Sequence, residues 1–146
     1  MDDPIVLVGC DGTFDGDPAL RFGAEEARLR RARLVLLIAY ARPIDPDIDE
    51  FDTPRLKLAA RARSRADTAL RRALQWPDAA DLPEYDIVAA EGDPVGALLT
   101  HAAHALMIVI GNHDRTMLQR LFTRPTSEHL LRDTHIPVTI VPNPAK

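Results

Sequence analysis

A chain of 146 residues can bury one complete core and is expected to form a single domain over residues 1–146. Its 46% apolar and 27% charged content is that of an ordinary globular protein, and a net charge of −4 speaks against a general DNA- or RNA-binding role. The acidic start MDDP leads into an apolar run too short for a secretory leader or a membrane span, and the lone Cys10 allows no internal disulfide; both features fit a cytoplasmic protein.

In chain order, the first apolar run covers 5–10 and ends in Cys10, Asp11, Gly12 and Thr13. Asp17-Pro18 then opens a helical stripe of Ala19/Leu20, Gly23/Ala24 and Ala27, with proline suited to the first helical turn. A second apolar run covers 34–40. After it comes an irregular acidic stretch, 42–52, in which Asp45, Asp47 and Asp49 alternate without the glycine and terminal Glu of a calcium loop. That stretch reads as a solvated loop, placed where a lid beside a site would stand. Thr53-Pro54 opens a longer stripe of Leu56, Ala59/Ala60, Ala66, Leu70 and Ala73/Leu74. A third run at 85–90 is followed by Asp93-Pro94 and a stripe of Val95, Leu98/Leu99 and Ala102. The fourth run, 106–110, ends at Gly111; a short helix is expected at 126–132 and a last strand at 138–141.

Most of these runs are continuous rather than alternating, as strands covered on both faces are. The order βαβαβαβαβ with right-handed crossovers predicts an open, doubly wound, five-stranded parallel sheet with helices on both faces, a Rossmann-like α/β fold. Ligands bind such sheets beyond the carboxyl ends of the strands, where the strand order reverses. The candidate edge therefore runs from Asp11, Gly12 and Thr13 to Gly111, Asn112, His113 and Asp114.

The stretch 111–127, GNHDRTMLQRLFTRPTS, occupies the usual position of a phosphate loop but offers few amides to close around an anion. After Gly111 there is no second glycine, Asp114 is acidic, and Pro125 has no N–H. Arg115, Arg120 and Arg124 in the same stretch are able to supply charge-assisted bonds instead.

Several fragments in order carry a resemblance: IVLVGCDGT at the first strand, Glu91-Gly92-Asp93-Pro94 followed by Leu98-Leu99 and Ala102, then LMIVIG, SEHLLR and PVTIVP. Together they resemble the universal stress protein family over nearly the whole chain. The resemblance implies a fold related to the nucleotide α-hydrolases and, in members that bind ATP, a motif G-x2-G-x9-G-[S/T] after the fourth strand. At that spacing this chain has Gly111, Asp114, Arg124 and Pro125, with Ser127 two positions beyond at a hydroxyl position that the family uses near phosphate. Glycine permits positive φ and close backbone approach, which Asp114 and Arg124 do not. An Asp about 4 Å from a phosphate charge costs on the order of 4 kcal/mol at an effective dielectric of about 20. The expectation is a family-type ATP site that is lost or weakened. The alternative is an adenine-nucleotide site in which Arg115 and Arg124 replace the glycine nest.

Single residues carry two readings each. Asp11 contacts the adenosine part of a ligand, as the resemblance implies, or caps the following turn. Thr13 belongs to the same turn, and Tyr40 lines an adenine pocket or closes the edge of the core. His113 is placed for phosphate contact, but no Ser or Cys nucleophile is visibly paired with it, so no catalytic residue is assigned. His101 and His104 share a helix face without the further ligands of a zinc site. Arg28, Arg30, Arg31 and Arg33, and the arginines from 55 to 72, read as solvated helix faces, and Cys10 as a core or strand-end thiol. The strand at 138–141 should lie at an edge, and the resemblance implies homodimerisation through it.

Three functions compete at this point: a dimeric, non-catalytic stress-response protein sensing an adenine nucleotide or another ligand, an enzyme on the related fold, or an interaction protein with a vestigial site. The HxGH, KMSKS and SGGxDS signatures of the related ligases and pyrophosphatases do not occur.

Overall fold

A computed structural model describes residues 4–41, 53–75, 82–111 and 136–142. In chain order the elements are β1 (Ile5–Cys10), a 3-10 turn (Phe14–Gly16), α1 (Asp17–Arg30), β2 (Arg33–Tyr40), α2 (Thr53–Leu74), β3 (Tyr85–Glu91), α3 (Pro94–Ala102), β4 (Ala105–Gly111) and β5 (Val138–Val141). The expected helix at 126–132 and the acidic stretch at 42–52 lie outside the described residues. Strands β2, β3 and β4 run slightly past their apolar runs because ladder bonds, not hydropathy, set their ends. Arg33 is held in the sheet by its own N–H, which donates to the Pro4 carbonyl at 2.9 Å.

All four strand pairings are parallel, in the order β3-β2-β1-β4-β5. The fold is thus the five-stranded α/β sheet that the sequence predicts. Alternation sorts the side chains of each central strand between two cores. Val6 and Val8, Leu34 and Leu36, and Met107 and Val109 meet α1 and α2 on one face. Leu7, Leu37, Ile108 and Ile110 meet Val95, Leu98 and Ala102 of α3 on the other.

Helix α1 lies very close to the sheet, since a Cβ on Gly23 would come within 2.4 Å of Val8 Cγ2. Only glycine permits that approach without a shift of the helix.

Two expectations about α2 need correction. Its buried stripe is Ala62, Ala66, Ala69, Leu70 and Ala73, whereas Leu56 in the first turns is 58% exposed. Its arginines are not all on a solvated face either. Arg72 binds Asp17 of α1 through two bonds, Nη2 to Oδ1 at 2.7 Å and Nε to Oδ2 at 3.0 Å. Arg55 binds Glu91 at the end of β3 at 3.1 Å. Arg33 belongs to β2 and bridges Glu84 and Asp86 at 3.2 and 2.9 Å.

Candidate functional site

Strands β1, β2 and β3 are laid down in one direction across the sheet, and β4 then pairs with the opposite side of β1. The reversal point lies between β1 and β4, and in a parallel sheet all carboxyl ends share one edge. Val8 stands opposite Val109, so continuing the register brings Cys10 level with Gly111. Cys10 pairs with Ile38, two residues before Tyr40. The fold therefore gathers Asp11, Thr13, Tyr40 and Gly111, far apart in sequence, along a single edge. His113, Asp114, Arg115, Arg124 and Ser127 lie outside the described residues.

The turn after β1 is built from its own side chains. Asp11 Oδ1 accepts the Thr13 backbone N–H at 2.9 Å and the Thr13 hydroxyl at 2.8 Å. This is the local Asp turn that competes with regular structure and ends a strand. Gly12 sits at φ +81°, a left-handed conformation favouring glycine, and a Cβ there would lie 3.4 Å from Arg65 Cβ of α2. The turn thus packs against the second helix as well as leading to the first. The turn-capping reading of Asp11 is realised, alongside any contact it makes with a ligand.

Tyr40 closes β2, and its carbonyl accepts the Gly92 N–H at 2.9 Å, tying the ends of β2 and β3 together. Gly92 has φ +88°, which lets the chain turn from β3 into α3. Gly111 is buried at the end of β4.

Sequence reasoning missed a cluster beside this edge. The Arg72 guanidinium, fixed by Asp17, lies 4.0 Å from the centroid of the Phe14 ring. Phe14 is 73% exposed despite its apolar ring, and the stacked cation partly accounts for its tolerance there. No local pattern marks a pair separated by 55 residues. The Cys10 thiol is pushed up to about 11 by burial above all, with nearby Asp11 adding to the rise while a Gly12 backbone hydrogen bond and Arg72 oppose it. It is a poor nucleophile at neutral pH.

His101 Nδ1 lies 2.9 Å from the Ala97 carbonyl, one helical turn back, a local contact that uses the ring. Among the described residues no group of three His, Cys, Asp or Glu is arranged to hold a metal, and no helix is long and apolar enough to cross a membrane.

A doubly wound parallel sheet with an acidic Gly turn at its reversal point defines a Rossmann-like α/β protein. The model of the Universal stress protein family matches residues 4–142, and the chain belongs to that family. It is 25% identical over 136 residues to universal stress protein Mb2028c of Mycobacterium bovis (strain ATCC BAA-935 / AF2122/97), covering 92% of this chain and 44% of that relative. The chain therefore spans less than half the length of the curated relative. Its fold is also that of a universal stress protein crystallised in complex with cAMP, at 19% identity and a TM-score of 0.61, covering 97% of this chain and 98% of that one. The universal stress protein from Archaeoglobus fulgidus in complex with dAMP is likewise 19% identical, with a TM-score of 0.57 and coverage of 96% and 98%.

Proposed function

We propose that this chain is a non-catalytic, cytoplasmic stress-response protein whose crevice at the carboxyl ends of β1 and β4 takes an adenine nucleotide and grips a triphosphate only weakly. The observation that carries this reading is the gathering of the Asp11-Gly12-Thr13 turn, Tyr40 and Gly111 at the strand reversal. The loop that follows Gly111 in sequence has Asp114, Arg124 and Pro125 where ATP-binding members have two glycines and a hydroxyl residue. Two proteins of the same fold were crystallised with cAMP and dAMP, monophosphates that make no demand on a full triphosphate nest. Burial pushes the Cys10 thiol up to about 11, so it offers no thiolate nucleophile at neutral pH.

The test is calorimetry of nucleotide-stripped protein with Mg-ATP and with AMP, repeated at a second temperature. AMP should bind at least as tightly as Mg-ATP. Tight ATP binding that collapses in Arg115→Ala and Arg124→Ala would instead establish the second reading, an arginine clamp in place of the nest. The absence of binding by either nucleotide would overturn the nucleotide assignment.

The same proposal includes a homodimer formed through β5. This strand pairs only with β4 among the described strands, and Ile140 in it is 43% exposed. An unpaired apolar edge is a template for a second copy. Sedimentation should show a dimer, and Ile140→Lys should shift it toward monomer; a monomer at all concentrations would remove this part of the reading.

A further inference from the structure

The arginines of α2 fall into two groups. Arg55, Arg71 and Arg72 each meet a carboxylate, on Glu91, Asp67 and Asp17 respectively. Arg61 and Arg65 have no hydrogen bond or ion pair among the described residues. Both line a groove of about 700 Å³ between α2 and the carboxyl end of β2. Tyr40, Ala41 and Leu58 supply its apolar wall, and Ser64 adds a hydroxyl between the two cations. Positions 58, 61 and 65 recur at helical spacing, so one face of α2 presents an apolar residue and two guanidiniums to the same space. The volume is that of a small-molecule site.

A second groove, of about 380 Å³, contains Arg28, Arg31, Arg33 and Glu84, and there Arg28 is bound by Glu25 and Arg33 by Glu84 and Asp86. Two of its three cations are thus neutralised from within the chain, and the third, Arg31, has no ion pair among the described residues. The α2 groove differs in having two unpaired cations and no acidic residue among the described residues of its lining.

We propose that the groove between α2 and the end of β2 binds a small amphipathic anion, an aromatic or acyl body carrying a phosphate or carboxylate. The body lies against Tyr40, Ala41 and Leu58, and the anion meets Arg61 and Arg65, with the Ser64 hydroxyl as a further donor. Guanidiniums recognise either acid through charge-assisted, often bidentate bonds. The Gly12 turn abuts Arg65, so an occupant of the groove stands next to the turn that carries Asp11. The groove shares Tyr40 with the crevice, but its anion contacts are Arg61 and Arg65 of α2, so the loss on substituting those two arginines tests it separately from nucleotide binding in the crevice.

The experiment is a titration of the full chain with naphthyl phosphate, naphthoate and naphthol, followed by amide NMR. At least one of the two anions should give saturable shifts at Tyr40, Ala41 and along 58–65, and naphthol, which lacks the anion, should bind at least about tenfold more weakly. Whichever anion binds more tightly identifies the acid that the groove prefers. Arg61→Gln with Arg65→Gln should weaken that anion by about tenfold or more, and the loss should shrink as salt rises. Arg63→Gln removes a charge from the same helix outside the groove lining and should leave the affinity nearly unchanged. All three substituted side chains are exposed, so the variants are expected to fold, which their amide spectra report directly. No saturable binding by either anion at millimolar concentration overturns the proposal. So does an equal loss in the Arg63→Gln protein, or affinity untouched by the paired substitution.

Discussion

Two strand-to-helix junctions of this protein begin from nearly the same local sequence and reach different structures. After β1 the chain runs Asp11-Gly12 and enters α1 through Asp17-Pro18; after β3 it runs Glu91-Gly92 and enters α3 through Asp93-Pro94. Both glycines take positive φ, +81° and +88°. At α3 the aspartate is the N-cap, its carboxylate accepting the Val95 N–H at 3.1 Å. At α1 the cap position falls on Gly16, no side chain caps the helix, and Asp17 is already the first helical residue. Its carboxylate is taken by Arg72 from α2. The difference teaches that an Asp-Pro pair marks where a helix starts more reliably than it assigns the carboxylate. The Asp93 carboxylate caps its own helix, and the Asp17 carboxylate binds across the fold.

The largest test of that contrast is at Asp17, which is only 9% exposed. Asp17→Ala leaves the Arg72 guanidinium without its two bonds and should cost about 2–3 kcal/mol, below the range for a fully buried pair because Arg72 keeps some solvent contact. A double-mutant cycle with Arg72→Ala in urea melts measures the coupling; additive losses would show that the pair contributes nothing of its own. Asp93→Ala should cost about 1 kcal/mol, the usual value of an N-cap, and Asp93→Ser should recover most of it. If the serine variant is no better than alanine, the side chain is not acting as a cap.

The smallest effect is expected at a third carboxylate. Asp67 accepts from the Tyr85 hydroxyl at 2.7 Å and from Arg71 at 2.8 Å, and these bonds, Tyr85 first, hold its carboxyl below the usual range. The same bond raises the Tyr85 hydroxyl above its ordinary value. A lowered carboxyl contributes stability above its unfolded pKa that is lost as pH falls through the folded one. A raised phenol contributes stability below its unfolded pKa that is lost as pH rises through its folded one. Tyr85→Phe should therefore cost about 0.5 kcal/mol at neutral pH, since Asp67 is partly screened by solvent, and progressively less at both the acid and the alkaline extremes. A loss that does not vary with pH would assign the effect to packing rather than to the bond.

Much of the architecture was legible before any coordinates. The continuous runs at 5–10 and 106–110 fit strands buried on both faces, as in a parallel sheet, and the Pro-marked starts at Asp17, Thr53 and Asp93 separated the helices. Helix α2 was read less well, because alanine-rich segments offer several equivalent stripes; its neighbours decided that Ala62 and Ala69 go inward while Leu56 stays out. Of the site, the shared edge of Asp11, Thr13, Tyr40 and Gly111 followed from topology. The Phe14–Arg72–Asp17 cluster and the groove of Arg61 and Arg65 did not.

By itself the sequence determined what depends on near neighbours along the chain: strand and helix periods, the glycines that must turn with positive φ, the Asp11–Thr13 turn, and the family motifs in their order. Only the tertiary structure decided which charges are paired and which are not. The six arginines between 55 and 72 look alike in sequence, as a basic helix. Pairing of three-dimensional neighbours takes Arg55, Arg71 and Arg72 into ion pairs and leaves Arg61 and Arg65 on the groove. The physical reason is distance: a guanidinium is neutralised by a carboxylate within a few ångströms, and apart from the Asp67–Arg71 helical pair those carboxylates come from elements dozens of residues away.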